Sequence, residues 1–247
     1  MKLKKSLGQN FLKNEIIAYK IVENILNEKS ENILEIGCGA GAITKYINEK
    51  KWKNFWIVEL DNFWAEKAKK NYKDAKIFNK NILDFSLNEN LKWLIIGNIP
   101  YNITYGILKK IIEWRFFIDK VVLMMQEEVA LKLYNKKGKD YGPISVLIQL
   151  FFDLELFLKV LPENFDPAPK VTSRVINIIP KKDMPELNKE KYDEFCNFLA
   201  VIFKFPRKKI KNNLIGSKYE NKIEEKYLDK RAQEIFFNEI YEIFLKI

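Results

Sequence analysis

The sequence contains no histidine. That absence removes the commonest general base, the Ser–His and Cys–His nucleophile pairs, and most zinc chemistry. An enzyme of this composition must run a reaction that needs none of them. Cysteine is scarce as well: the 2 residues, Cys38 and Cys196, stand far apart and neither belongs to a CxxC pair. A disulfide framework and a metal site are not expected, and a reducing cytoplasm fits. Glycine and proline, at 9 and 8, are too few for a fibrous or disordered chain. A long apolar run is also missing, since the stretch from Ile144 to Leu161 is broken by Gln149, Asp153, Glu155 and Lys159. No segment is expected to span a membrane. The start, Met1 to Leu12, is basic but lacks the apolar core of a signal peptide.

What is present is charge and a core. Of 247 residues, 47% are hydrophobic and 31% charged, enough for one full α/β domain with a small appendage. The formal net charge of +10 attracts polyanions and raises their encounter rate. A generally lysine-rich proteome gives the same number, so charge alone leaves both explanations open.

Short β-rich runs at Asn32–Ile36, Phe55–Glu59, Lys76–Asn79, Trp93–Gly97 and Val121–Met125 alternate with helical patterns beginning near Ala42, Asn62 and Thr104. Alternation of this kind predicts a doubly wound parallel sheet, a Rossmann-like α/β fold. A leading helix is expected over Glu15–Asn27, with Ile16, Ile17, Ile21 and Ile25 at helical spacing. Further on, Glu155–Leu161 and Ser173–Ile179 are expected to pair as antiparallel edge strands, and residues 180–188 read as a linker. Beyond it the pattern is helical. The expected division is a catalytic domain over 1–180 and a small helical domain over 181–247.

Ile33–Ile36 runs into Gly37-Cys38-Gly39-Ala40-Gly41, an apolar strand ending in a glycine turn that opens a helix. Such a turn lets backbone approach a ligand closely. Glu59, in Val58-Glu59-Leu60-Asp61, follows by about the 20 residues expected of an acid that grips ribose hydroxyls. Ala42 lets the loop pass also as a dinucleotide fingerprint, and a plain strand-to-helix turn is a third possibility. Glu35 and the GxGxG spacing favour S-adenosylmethionine, because a carboxylate repels a pyrophosphate and suits a sulfonium and an ammonium.

Strand Trp93–Gly97 leads into Asn98-Ile99-Pro100-Tyr101. In a doubly wound sheet, ligands bind at the carboxyl ends of strands, so this tetrapeptide belongs beside the cofactor's methyl group. An aromatic amino nitrogen is a poor nucleophile because its lone pair is delocalised. Carbonyl oxygens from Asn98 and the backbone at Ile99 can accept its two N–H bonds, Pro100 adds no competing donor, and Tyr101 offers a face for stacking. In-line methyl transfer works by proximity and orientation, and its proton leaves to water. No histidine is required. The alternative is a structural turn with Tyr101 merely packed.

These residues, with Ser6-Leu7-Gly8-Gln9-Asn10-Phe11-Leu12, Tyr141-Gly142-Pro143-Ile144-Ser145-Val146 and Phe165-Asp166-Pro167-Ala168-Pro169-Lys170-Val171-Thr172-Ser173, closely resemble the ribosomal RNA adenine dimethyltransferases of the KsgA type. The likeness spans nearly the whole chain. It implies S-adenosylmethionine as cofactor and N6,N6-dimethylation of two adjacent adenines near the 3′ end of 16S rRNA in the small subunit. It implies that Asn10 and Leu12 close over the cofactor and that Gly37 meets its methionine part, with Glu35 and Gly39 as further cofactor residues. Glu59 then meets its ribose, Asn81 and Ile82 its adenine, Leu60 is a further cofactor residue, and Asn98 borders cofactor and base together. Tyr101 and Asn98 hold the base, and Phe165 stacks from the other side. Asn81 stands where the family usually has Asp, which bears on cofactor affinity and not on reaction type. Phe165, read from the residues alone, is either an aromatic cap on a proline-stiffened loop or a core residue beneath it.

Lys204, Arg207, Lys208, Lys209 and Lys211, interleaved with Phe203 and Phe205, form a candidate phosphate-tracking patch, extended by Lys136, Lys137 and Lys139. If helical, Arg207, Lys208 and Lys211 share a face. The expected partner is therefore 16S rRNA, with no membrane and no metal, and the expected state a monomer. Three rivals remain: the large-subunit adenine methylases of the macrolide-resistance type, a ribosome-assembly factor that binds RNA without catalysis, and a nicotinamide-dependent oxidoreductase.

Overall fold

The computed structural model describes residues 10–247. Ser6, Leu7, Gly8 and Gln9 of the amino-terminal motif lie outside them.

Five strands alternate with helices along the first half of the chain. They are β2 (Asn32–Ile36), β3 (Asn54–Val58), β4 (Ala75–Phe78), β5 (Trp93–Asn98) and β6 (Ile118–Gln126). A sixth and seventh, β7 (Phe152–Val160) and β9 (Ser173–Pro180), complete a sheet of order β4-β3-β2-β5-β6-β9-β7. The pairings from β4 to β6 are parallel. All five residues of β2 are buried, as a central parallel strand covered on both faces requires. Chain order runs outward from β2 through β3 to β4, then returns to β5 on the other side of β2. The point of reversal lies between β2 and β5, where doubly wound sheets bind ligands.

The carboxyl side of the sheet differs from the sequence expectation in one respect. Ser173–Ile179 is not an edge strand: β9 pairs antiparallel with β6 and has β7 beyond it. Its Val175, Ile176, Asn177 and Ile178 are buried, whereas β7 alternates between exposed and partly covered residues. The strand covered on both faces takes the interior place and the alternating strand takes the edge. A second, two-stranded ladder pairs β1 (Phe11–Leu12) with β8 (Phe165–Asp166).

Helix α1 (Glu15–Leu26) is capped by Asn14, whose side chain accepts the Ile17 N–H at 3.2 Å. Its buried face is Ala18, Ile21, Val22 and Ile25. Ile16, expected on that face, is exposed, because the apolar stripe is set by the i, i+3, i+4 run that starts at Ala18. After β2 comes the short α2 (Thr44–Ile47), then α3 (Asn62–Asn71), capped by Asp61, and α4 (Thr104–Glu113).

The chain divides into two compact units: residues through Ala130 with Asp153–Pro180, and Leu131–Phe152 with Lys181–Ile247. A boundary falls after 180, but residues 131–152, placed with the catalytic domain on sequence, group with the tail. The reason is α6 (Pro143–Phe151), in which Ser145 through Phe151 are buried. Within the second unit α6 packs against α7 (Lys189–Ile202) and α10 (Phe237–Leu245). Rings of Phe195, Phe198 and Phe244 fill its centre. The short helices α8 (Ile210–Leu214) and α9 (Glu225–Leu228) complete the unit, and α5 (Glu127–Tyr134) crosses the boundary at Ala130. Among the described residues no helix is long and apolar enough to cross a membrane.

Candidate active site

One cavity in the first unit opens at the reversal point. Its lining includes Asn10, Leu12, Glu35, Gly37, Gly39, Glu59, Leu60, Asn81, Ile82 and Asn98, every residue expected around a cofactor. Ile99, Pro100 and Tyr101 line it too. The glycine turn after β2 and the tetrapeptide after β5 thus face one space because their strands are neighbours.

The glycine turn is held in a conformation that other residues resist. Gly37 and Gly39 have φ of 74° and 47°, in the left-handed region where a Cβ is strained. A Cβ on Gly39 would also meet the Phe11 ring at 2.7 Å. Glu59 clasps the turn: one carboxylate oxygen accepts the Gly39 N–H at 3.0 Å and the other the Asp61 N–H at 2.8 Å. The acid expected to grip ribose therefore also braces the loop beneath it. Cys38 is buried and its thiol is pushed up by that burial, so it is a packed residue without nucleophilic character.

Glu35 is the unusual group. It is fully buried, accepts one hydrogen bond at 3.0 Å from the Thr44 hydroxyl, and leaves its second oxygen without a partner among the described residues. Burial pushes its carboxyl up to about 8, against the Thr44 hydrogen bond and with a smaller contribution from the Glu59 charge. An orphaned buried oxygen on a cavity wall needs a donor from a ligand. A cationic ligand satisfies it by pairing with the ionised carboxylate that burial otherwise keeps protonated.

On the facing wall, the Asn98 amide nitrogen donates to the Asn10 carbonyl at 2.9 Å, so its oxygen is the atom left to accept. The Ile99 N–H donates to the Met124 carbonyl at 3.1 Å, fixing the turn to β6. Pro100 has φ −60° and leads into a short 3-10 turn at Tyr101–Ile103. From Asn98 to Ile103 this wall carries no carboxylate.

The model of the ribosomal RNA adenine dimethylase family matches residues 1–241. The chain belongs to this family. A ribosomal RNA small subunit methyltransferase A from Hydrogenobaculum sp. (strain Y04AAS1) is 36% identical, covering 99% of this chain and 93% of that protein. Among solved structures, a dimethyladenosine transferase from Plasmodium falciparum superposes with a TM-score of 0.81 at 22% identity, covering 95% of this chain and 96% of that one. The 23S rRNA methyltransferase ErmE gives 0.74 at 19% identity, covering 96% and 99%. At those identities the likeness shows the fold, and since ErmE is named for large-subunit RNA the fold does not choose the subunit.

Two expectations for this dimethylase are corrected by the structure, at Phe165 and at residues 203–209. Phe165 is 2% exposed, pairs with Leu12 across the small ladder and belongs to the core, so it does not line the cavity. The ladder turns its ring inward. The oxygen of Asn81 accepts the Leu83 N–H at 3.1 Å, capping a 3-10 turn at Ile82–Asp84. In the second unit, residues 203–209 are turns and not helix, so Arg207 and Lys208 precede α8 and share no helical face with Lys211. Pro206 and the buried Phe203 end α7 there. Phe205 is exposed between Lys204 and Lys208, whose ammonium groups lie 5.5 and 4.6 Å from its ring centre. Lys209 and Lys211 pair with Asp229 at 2.9 and 2.8 Å, leaving less net charge than the run suggests.

Sequence reasoning passed over Phe11, Lys80, Asn102 and Ile103, which line the cavity, and Thr44, which bonds Glu35. Phe11 stood inside a quoted motif; Thr44 carried no signal, being one hydroxyl on a helix.

Proposed function

We propose that this chain transfers methyl groups from S-adenosylmethionine to the N6 nitrogens of two adjacent adenines of 16S rRNA in the small ribosomal subunit. The observation that carries the reading is the Asn98–Tyr101 turn opening on the cavity that the glycine loop lines. Membership of the adenine dimethylase family and relatives named for the small subunit support it.

The residues fit the cofactor. Glu35 offers an unpartnered oxygen to a cationic methionine head, Glu59 retains lone pairs for ribose hydroxyls, and Leu60, Asn81 and Ile82 surround the adenine. Bound there, S-adenosylmethionine supplies an electrophilic methyl group. Asn98 Oδ1 and the backbone carbonyl at Ile99 accept the two N–H bonds of the target amine. They turn its lone pair out of the ring toward the cavity. Tyr101 stacks against the base, an interaction worth about 1–3 kcal/mol. The released proton passes to water, so no side-chain base is needed and the histidine-free composition is no handicap.

In the second unit, Lys204, Arg207 and Lys208 with Lys136, Lys137 and Lys139 provide exposed positive charge for RNA phosphates. Such contacts add affinity that is sensitive to salt and indifferent to sequence.

The test is transfer from labelled S-adenosylmethionine to small subunits from an unmethylated strain, followed by nucleoside analysis. N6,N6-dimethyladenosine is expected. Labelling of naked large-subunit RNA but not of small subunits overturns the target; binding of small subunits without transfer overturns the catalytic reading.

A further inference from the structure

The hydroxyl of Tyr101 lies 2.7 Å from Ser173 Oγ. Ser173 is fully buried at the start of β9, opposite Gln126 at the end of β6. Both neighbours of Ser173 are held by one residue. The Glu127 N–H donates to the Thr172 carbonyl at 3.0 Å, and the Glu127 carboxylate binds the Arg174 guanidinium. Lys159 from β7 approaches the same carboxylate at 3.2 Å. Ser173 is thereby fixed on a backbone that cannot shift without breaking the Glu127 clasp.

Tyr101 is gripped at its other end too, since the Thr104 hydroxyl donates to its carbonyl at 3.1 Å. Two torsions separate that backbone from the phenol oxygen. Anchoring both ends sets the plane of the ring. Stacking uses only the ring face, so the hydroxyl is available as an anchor. Burial pushes the Tyr101 phenol up from its ordinary range, so it stays neutral.

We propose that Ser173 is a positioning residue for methyl transfer, its hydroxyl holding the Tyr101 ring in the plane against which the target adenine lies. This rests on the reading of Tyr101 as the base-holding residue. Sub-ångström orientation controls rates of this kind, which is why a buried hydroxyl outside the cavity lining matters.

A double-mutant cycle tests it. Ser173→Ala and Tyr101→Phe remove the same hydrogen bond from opposite ends. Each is expected to lower kcat on under-methylated small subunits about 3- to 10-fold, the scale of one net hydrogen bond. The double variant should be no slower than either single, and S-adenosylhomocysteine affinity should be unchanged in all three. Independent, multiplying losses overturn the proposal, as does a fall in S-adenosylhomocysteine affinity in Ser173→Ala. Should Ser173→Ala fail to fold, Tyr101→Phe decides alone, and wild-type kcat there overturns it. Tyr101→Ala separates the two readings. Undiminished transfer in that variant overturns base holding itself, whereas loss there beside a neutral Ser173→Ala overturns only the positioning role.

Discussion

The two walls of the cavity are built on opposite principles. The glycine-loop wall carries two buried carboxylates, Glu35 and Glu59, and left-handed backbone that Gly37 and Gly39 adopt without strain. The tetrapeptide wall, from Asn98 to Tyr101, carries an amide, carbonyls and a phenol held neutral by burial. The first can therefore recognise charge and respond to pH; the second can only orient. The reaction proposed above needs that division, because the methyl donor is cationic and the acceptor is a neutral amine.

The sharpest way to break this comparison is on the orienting wall. Asn98→Ala removes the acceptor oxygen held in place by the Asn10 carbonyl. Transfer should fall about 100-fold or more, the scale of one preorganised partner lost from a transition state. Tyr101→Ala should also cost severely, with stacking worth about 1–3 kcal/mol, while S-adenosylhomocysteine affinity stays near wild type. Equal losses of cofactor affinity and turnover in Tyr101→Ala would mean the walls are not separate.

Next in size is the charged wall. Glu59→Gln keeps the shape but turns one accepting oxygen into a donor facing either the Gly39 or the Asp61 N–H. Hydrogen bonds to a charged group are worth about 1.5–3 kcal/mol. Cofactor affinity should therefore drop on the order of tenfold or more, measured by titration with S-adenosylhomocysteine, with the smaller part of the effect on kcat.

The walls also differ in how far they could be read from the sequence. Glycines, an acid at fixed spacing and a tetrapeptide at a strand end are local patterns, and strand order then places them together. That is why all ten expected cofactor residues line one cavity. The parallel strands were equally legible, being short β-branched runs. What could not be read depends on partners far along the chain. Ser173 meets Tyr101 across 72 positions, and Phe165 is turned inward by pairing with Leu12. The fate of α6 was hidden for the same reason: its apolar residues fit any core, and only tertiary packing assigns it to the second unit. Residues 203–209 were misread because a lysine-rich run has helical propensity but here follows Phe203 into Pro206.

A third prediction uses pH. Glu35 has its carboxyl pushed up to about 8 by burial, above the ordinary 4.5. Between those values the folded protein holds a proton that the unfolded chain has released. Stability present in acid is therefore lost as pH rises through that window. The neighbouring Cys38 thiol and Tyr72 phenol are pushed up instead of down, so they titrate above it, and Thr44 does not titrate. The Tm of ligand-free protein should decline from about pH 5 to about pH 8, and Glu35→Gln should flatten the decline. A slope identical in wild type and Glu35→Gln would remove Glu35 from the account. No substitution at Asn98 should alter it.

The smallest expected effect lies at Asn81. Its oxygen is used in capping the turn at Leu83, which leaves the amide nitrogen as its other polar atom. That nitrogen is a donor, and the adenine amino group of the cofactor is a donor as well. Asn81→Asp keeps the cap and puts a second acceptor where the nitrogen was, so S-adenosylhomocysteine affinity should rise a few-fold, about the worth of one net hydrogen bond. The gain should fall at high salt less than a surface contact would, because the residue is only partly exposed. An inosine analogue of the cofactor, which presents a carbonyl in place of the amino group, should reverse the preference: the wild-type amide tolerates it, and the carboxylate introduced by Asn81→Asp repels it. Equal affinities of both proteins for both compounds would show that the charged wall reads the methionine head and ribose alone and leaves the adenine unread.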